Sequence, residues 1–97
     1  MKGLLMSKNK IKRFKNGTTI SYHPPGSNTS RIRGNVVTFI PADAPLSKKL
    51  NKKHQSNFAS NPVNQSFYDR YAIVTTAGKV YTPLRAIVER TGRVLKG

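Results

Sequence analysis

The sequence predicts a small, mainly β domain of the α+β class with one C-terminal helix. Three observations predict it. Short apolar segments alternate with turn signals, at His23-Pro24-Pro25-Gly26, at Pro41–Pro45 and at Ala77-Gly78. One stretch, Thr82–Gly92, has helical apolar spacing between a start and a stop signal. The length of 97 residues and the hydrophobic content of 36% suffice for one small core.

Residues 1–16 read as a basic N-terminal arm. Lys8, Lys10, Lys12, Arg13 and Lys15 surround Ile11 and Phe14, and Asn16-Gly17 is a turn signal. The arm is expected to be flexible and to order along a phosphate backbone. The plain alternative is a solvated terminus. The apolar part of residues 1–6 is too short for a signal peptide, and no run approaches the ~18 apolar residues of a membrane span.

Residues 17–97 form the single β-rich domain. Thr18–Tyr22 reads as a strand that His23-Pro24-Pro25-Gly26 ends, since proline has no backbone donor. Arg31–Ile40 is the strongest strand. Its even positions Ile32, Gly34, Val36, Thr38 and Ile40 share one face, and Arg31, Arg33, Asn35, Val37 and Phe39 share the other. That alternation sets two guanidiniums and an aromatic ring on one side. A bulge at Gly34 would exchange the faces beyond it.

Residues 41–66 form a long basic excursion. Leu46–His54 is predicted as a short helix with Pro45 at its first position. Leu46 and Leu50 would share a face, and Lys48, Lys49, Lys52 and Lys53 would form a basic stripe. Gln55–Ser66 lacks periodicity and reads as a long loop. Tyr71–Thr76 and Lys79–Thr82 then form a hairpin with Gly78 in the left-handed region, Val74 facing Val80 and Ile73 beside Tyr81. Apolar side chains on both faces predict a central place for it. In the helix, Thr82 caps, Pro83 takes the first position, Leu84, Ile87 and Val88 make the apolar stripe, and Gly92 ends it. Arg93–Lys96 can add a last short strand. Strand count and charge together resemble barrel-type nucleic-acid binders, which implies an SH3-like or OB-like partly closed barrel or curled sheet.

Charge carries the functional expectation. Eighteen Lys and Arg stand against Asp43, Asp69 and Glu89, a formal charge of +15, and the first 42 residues contain no acid. A compact domain so charged repels itself, and an external polyanion relieves the repulsion. Nucleic acid is the obvious one, because each neutralised phosphate releases counterions. The candidate contacts are Lys8, Lys10, Lys12, Arg13 and Lys15 of the arm, Arg31 and Arg33, and Lys48, Lys49, Lys52 and Lys53. Phe39, and Phe14 in the arm, are the candidates to stack a base, while core packing is the ordinary role of the eight aromatics.

The expected function is non-catalytic, largely sequence-nonspecific binding of RNA or DNA through the backbone, of a ribosomal, single-strand-binding or genome-associated kind. Protein neighbours in a ribonucleoprotein or virion are further expected partners. The alternatives are a small capsid-associated structural protein and a small basic ribonuclease toxin. Such toxins usually open with two helices, and none is predicted here. His23 sits in a proline turn and His54 ends a lysine run, so neither reads as catalytic. No cofactor or metal is expected: Cys is absent, no His, Asp or Glu pair has ligand spacing, and there is no Walker A or GxGxxG motif. No membrane is expected as partner, and the cytoplasm or a virion is the expected location.

Overall fold

A computed structural model describes residues 13–26, 30–59 and 64–95. Lys8, Lys10 and Lys12 lie outside the described residues. Five strands form one antiparallel sheet: β1 Thr19–Tyr22, β2 Ile32–Ile40, β3 Arg70–Val74, β4 Val80–Tyr81 and β5 Arg93–Val94. Their spatial order is β4-β3-β2-β1-β5, and the sheet is open, with β4 and β5 at its two edges. Three short helices accompany it: α1 Leu46–Lys49, α2 Lys52–Gln55 and α3 Arg85–Thr91.

Both faces of the sheet are covered, which splits the core in two. On one face Ile20, Tyr22, Val36, Tyr71 and Ile73 pack against Val88 of α3 and against Phe14. On the other, Ile40, Ala72 and Val80 pack against Leu46 and Leu50 of the excursion, with Val37, Phe58 and Val74 at the margin. Burial of these side chains is the main favourable term for so small a chain.

The division of β2 between the two faces depends on one residue. Val36 pairs with Ile73 and Thr38 with Ala72, so Val37 is an extra residue in the ladder. This bulge exchanges the faces beyond it. Ile32 and Val36 face α3, and after the bulge so does Phe39, while Ile40 turns to the excursion. The even-odd alternation therefore ends at Val37, and Gly34 is in regular pairing with Ile20.

Arg13, Phe14 and Lys15 belong to the folded body. The Phe14 amide donates to the Tyr71 hydroxyl at 3.0 Å, and the Phe14 ring packs 6.1 Å from that of Tyr71. The Thr18 amide donates to the Lys15 carbonyl at 3.1 Å, closing the turn before β1.

The hairpin has the expected register, Val74 opposite Val80 and Ile73 opposite Tyr81, with Gly78 at φ 86°. Its position differs from expectation: β4 is an edge. The apolar second face of Val80 is explained by residues 57–59, which lie along that edge. Val80 donates to the Asn57 carbonyl at 2.8 Å and accepts from the Ala59 amide at 2.9 Å. The edge is thereby blunted against pairing with another chain.

The helix after the hairpin starts later than Thr82 and Pro83 signal. The Pro83 carbonyl accepts from the Tyr71 amide at 3.0 Å, and Leu84 bridges to Arg70. These strand-like bonds hold residues 82–84 extended, so Leu84 is the N-cap, 41% exposed, and no side chain caps the helix. Gly92 ends α3 at φ −74°, outside the left-handed region. Its small size is used instead: a Cβ there would meet the Phe14 ring at 3.0 Å and the Val88 carbonyl still closer.

The single helix expected at Leu46–His54 is two separate turns. Leu50 is extended, and the Asn51 side chain accepts from the His54 amide at 2.8 Å, which starts a second helix. A well-placed Asn cap outcompetes continuation of so short a helix. Pro45 is the N-cap of α1.

Under the α3 face, the Tyr71 hydroxyl donates to Glu89 Oε2 at 2.5 Å. Burial, with this hydrogen bond second, pushes the Tyr71 pKa up to about 12. A pKa raised on folding adds stability that is whole below the unfolded value near 10 and is lost as pH climbs from there toward 12. The unfolding free energy measured by urea titration is therefore expected to fall over that interval by on the order of 2 kcal/mol. Tyr71→Phe is expected to cost about 1–3 kcal/mol at neutral pH by orphaning the Phe14 amide, and to flatten the alkaline decline. An unchanged decline in that variant would assign it to other groups.

Candidate nucleic-acid interface

Two of the three acids are used on one arginine. Arg85 meets Asp69 at 2.9 Å and Glu89 at 3.1 Å, and these are the ion pairs of the described residues. The Ala42 amide, then the Arg85 guanidinium, hold the Asp69 carboxyl below the usual carboxylate range. Glu89 is also engaged by Tyr71. Arg31, Arg33, Arg93 and the four lysines of the excursion are left with no carboxylate partner among the described residues.

The cations are not scattered. In the ladder, Ser21 lies opposite Arg33 of β2 on one side and Arg93 of β5 on the other. Arg31 lies just before β2, and its guanidinium turns back over the same serine. Its Nε donates to Ser21 Oγ at 3.0 Å, and its second nitrogen reaches the Ser21 carbonyl at 3.0 Å and the Thr91 carbonyl at 2.7 Å. Three arginines thus surround one buried serine. Like charges placed side by side on a sheet destabilise it unless an anion sits among them.

Beside this cluster runs a groove of about 520 Å³, lined by Thr19, Arg33, Gly34, Asn35, Val74, Thr75, Thr76 and Leu95. Its hydroxyl and amide groups suit phosphate and sugar oxygens. The Thr19 hydroxyl donates to Asn35 Oδ1 at 2.5 Å across β1 and β2. A second depression of about 250 Å³, between Tyr22, Pro24, Pro25 and Tyr81, has no charged residue in its lining.

The register brings part of the expected basic set to one side. Arg33 and Asn35 share a face with Val74, and Val74 adjoins the cluster that Leu46 and Leu50 cover. Lys48, Lys49, Lys52 and Lys53 stand exposed on the layer over the far end of that face. They leave it from two helical turns, not as one stripe. Arg13 is on the opposite face, its guanidinium 3.9 Å from the centre of the Phe39 ring. Lys15 is exposed beside the turn before β1.

The two stacking candidates are placed otherwise than the alternation suggested. The bulge at Val37 turns Phe39 away from Arg31 and Arg33. Its ring meets Tyr71 edge-on at 5.4 Å and carries Arg13 over its face, so it is half-buried and occupied. Phe14 is only 8% exposed and is a core residue. Sequence reasoning missed Arg93, whose role depends on β5 pairing with β1. It also passed over Phe67 and Tyr68, although the aromatic density of residues 67–71 was visible.

His23 closes β1, its amide donating to Thr91 Oγ1 at 3.0 Å, and His54 lies on α2. Among the described residues no three His, Asp or Glu side chains gather as metal ligands. No helix of the described residues is long and apolar enough to cross a membrane.

Fold and surface together define a small, open antiparallel β-sheet domain with arginines clustered on one sheet face. Compared with known proteins, the chain matches no protein family, no curated protein and no solved structure.

Proposed function

We propose that this chain is a non-catalytic nucleic-acid-binding protein that contacts the phosphate backbone with little sequence preference. One observation carries the reading: Arg31, Arg33 and Arg93 converge on Ser21 beside a groove whose lining includes Thr19, Asn35, Thr75 and Thr76, on a protein two of whose three acids are paired with Arg85. Guanidiniums suit phosphate because their planar donors match its oxygens. Lys48, Lys49, Lys52 and Lys53 extend the cationic surface along the same side. We propose further that the sheet is a curled one of the SH3-like or OB-like kind. This reading is supported by five short antiparallel strands and by a bulge in the longest of them.

The test is fluorescence anisotropy with matched single-stranded DNA, duplex DNA and RNA over a salt series. The logarithm of affinity is expected to fall linearly with the logarithm of salt, with a slope of about −5 to −7. Changing Lys48, Lys49, Lys52 and Lys53 together to Glu is expected to lower affinity and make the slope shallower by about 3–4. Unchanged affinity and slope would remove those lysines from the interface. The shell-component reading predicts weak binding with self-assembly in the same samples. The ribonuclease reading predicts progressive loss of the RNA.

A further inference from the structure

Phe67 and Tyr68 are the most exposed large hydrophobic side chains among the described residues. Apolar side chains are scarce, yet these two neighbours are 87% and 66% exposed. Neither takes part in the ring contacts of the core, which join Phe14, Phe39 and Tyr71. A pair of large exposed rings on so polar a surface marks a contact site.

The loop that carries them is tied on both sides. The Ser66 carbonyl accepts from the Asp43 amide at 2.7 Å, and Ser66 Oγ accepts from the Tyr68 amide at 3.1 Å. Directly after the pair, Asp69 is held by the Ala42 amide at 2.8 Å and by Arg85 at 2.9 Å. The rings are therefore presented by a fixed turn, and little further order is lost when a ligand meets them.

Lysines adjoin the loop, and the neighbouring Asp69 carboxylate is already paired with Arg85. Asn64 accepts from the Leu46 amide through its carbonyl at 2.9 Å and from the Ser47 amide through Oδ1 at 3.2 Å. These bonds seat the loop against α1, which carries Lys48 and Lys49. The acids of this end are Asp69, paired with Arg85, and Asp43, on an exposed turn at φ 67°. A ligand suited to the site has flat apolar faces and negative charge.

Resting on the reading above, we propose that Phe67 and Tyr68 form a stacking platform for unpaired bases, which directs this protein to single-stranded nucleic acid. Lys48 and Lys49 take the adjoining phosphates. A duplex meets only the cations, because its bases are already stacked on one another.

The experiment compares an unstructured single-stranded oligonucleotide with a duplex of equal length, using the full chain and the Phe67→Ala/Tyr68→Ala variant. Both residues are exposed, so the variant keeps the wild-type melting temperature. Single-strand affinity is expected to fall at least tenfold with the salt slope unchanged, since stacking removes no counterions. Duplex affinity stays within twofold. The Phe67→Tyr/Tyr68→Phe variant retains single-strand affinity. An equal single-strand affinity in wild type and Ala variant, or an equal loss for both polymers, overturns this proposal and leaves backbone binding standing. Binding of neither polymer by the wild type overturns both. A wild-type dimer that the Ala variant converts to monomer assigns the rings to a second copy of the chain and overturns the platform.

Discussion

Reversing Arg33 and Arg93 together to glutamate is expected to weaken nucleic-acid binding on the order of 10²-fold at ~0.1 M salt. The reasoning starts from the ladder. Arg33 and Arg93 flank Ser21 on the open sheet face, and both are exposed. Each phosphate contact contributes close to one unit of salt slope, worth about eightfold in affinity at that salt, so two lost contacts account for most of the effect. The new carboxylates repel the polymer and add to it. The salt slope becomes shallower by about two, and the loss falls alike on every sequence tested. Stability moves the opposite way. Relieving repulsion between neighbouring guanidiniums leaves the melting temperature unchanged or raised. Arg31 is a poorer choice for this test, because its bonds to Ser21 and to the Thr91 carbonyl fasten α3 to β1. A double reversal that binds as tightly as the wild type would remove the arginine cluster from the interface.

Replacing Gly34 with alanine is expected to destabilise the fold by about 3–5 kcal/mol, at the upper end for one added methyl group. The residue sits in β2, the middle strand. A Cβ there would lie 2.8 Å from Ile73 Cγ2 and 2.9 Å from the carbonyl carbon of Val74. The obstacle on β3 is partly backbone, so a rotamer change does not relieve it. Moving β3 disturbs Tyr71, Ala72 and Ile73, which serve both halves of the core. A small domain has about 5–10 kcal/mol in all, so the variant is partly unfolded at ambient temperature. Gly17→Ala is the control. Gly17 has open space around it but φ 88°, and only the backbone preference is lost, costing about 1 kcal/mol. Urea midpoints measure both. Equal midpoints for the two variants would mean that β2 and β3 are less closely apposed than described.

Local chemistry was legible where neighbouring residues settle the matter. The hairpin register follows from Ala77-Gly78, since a glycine at positive φ fixes which residues face each other. The prolines after Tyr22 end β1 for want of an amide donor, and the last strand appears at Arg93–Val94. Charge and the shortage of acids are sums over the chain and need no fold at all.

What the sequence determined alone was therefore the run of strands and turns and the cationic excess. Tertiary structure decided the bulge at Val37, the late start of α3, the edge position of β4 and the meeting of Arg33 with Arg93. Each of these depends on hydrogen bonds between residues far apart in the chain. Pro83 stays extended because Tyr71 takes its carbonyl, and Phe39 changes face because Thr38 pairs with Ala72. Local preference amounts to a few tenths of a kcal/mol per residue, and a buried ladder outweighs it.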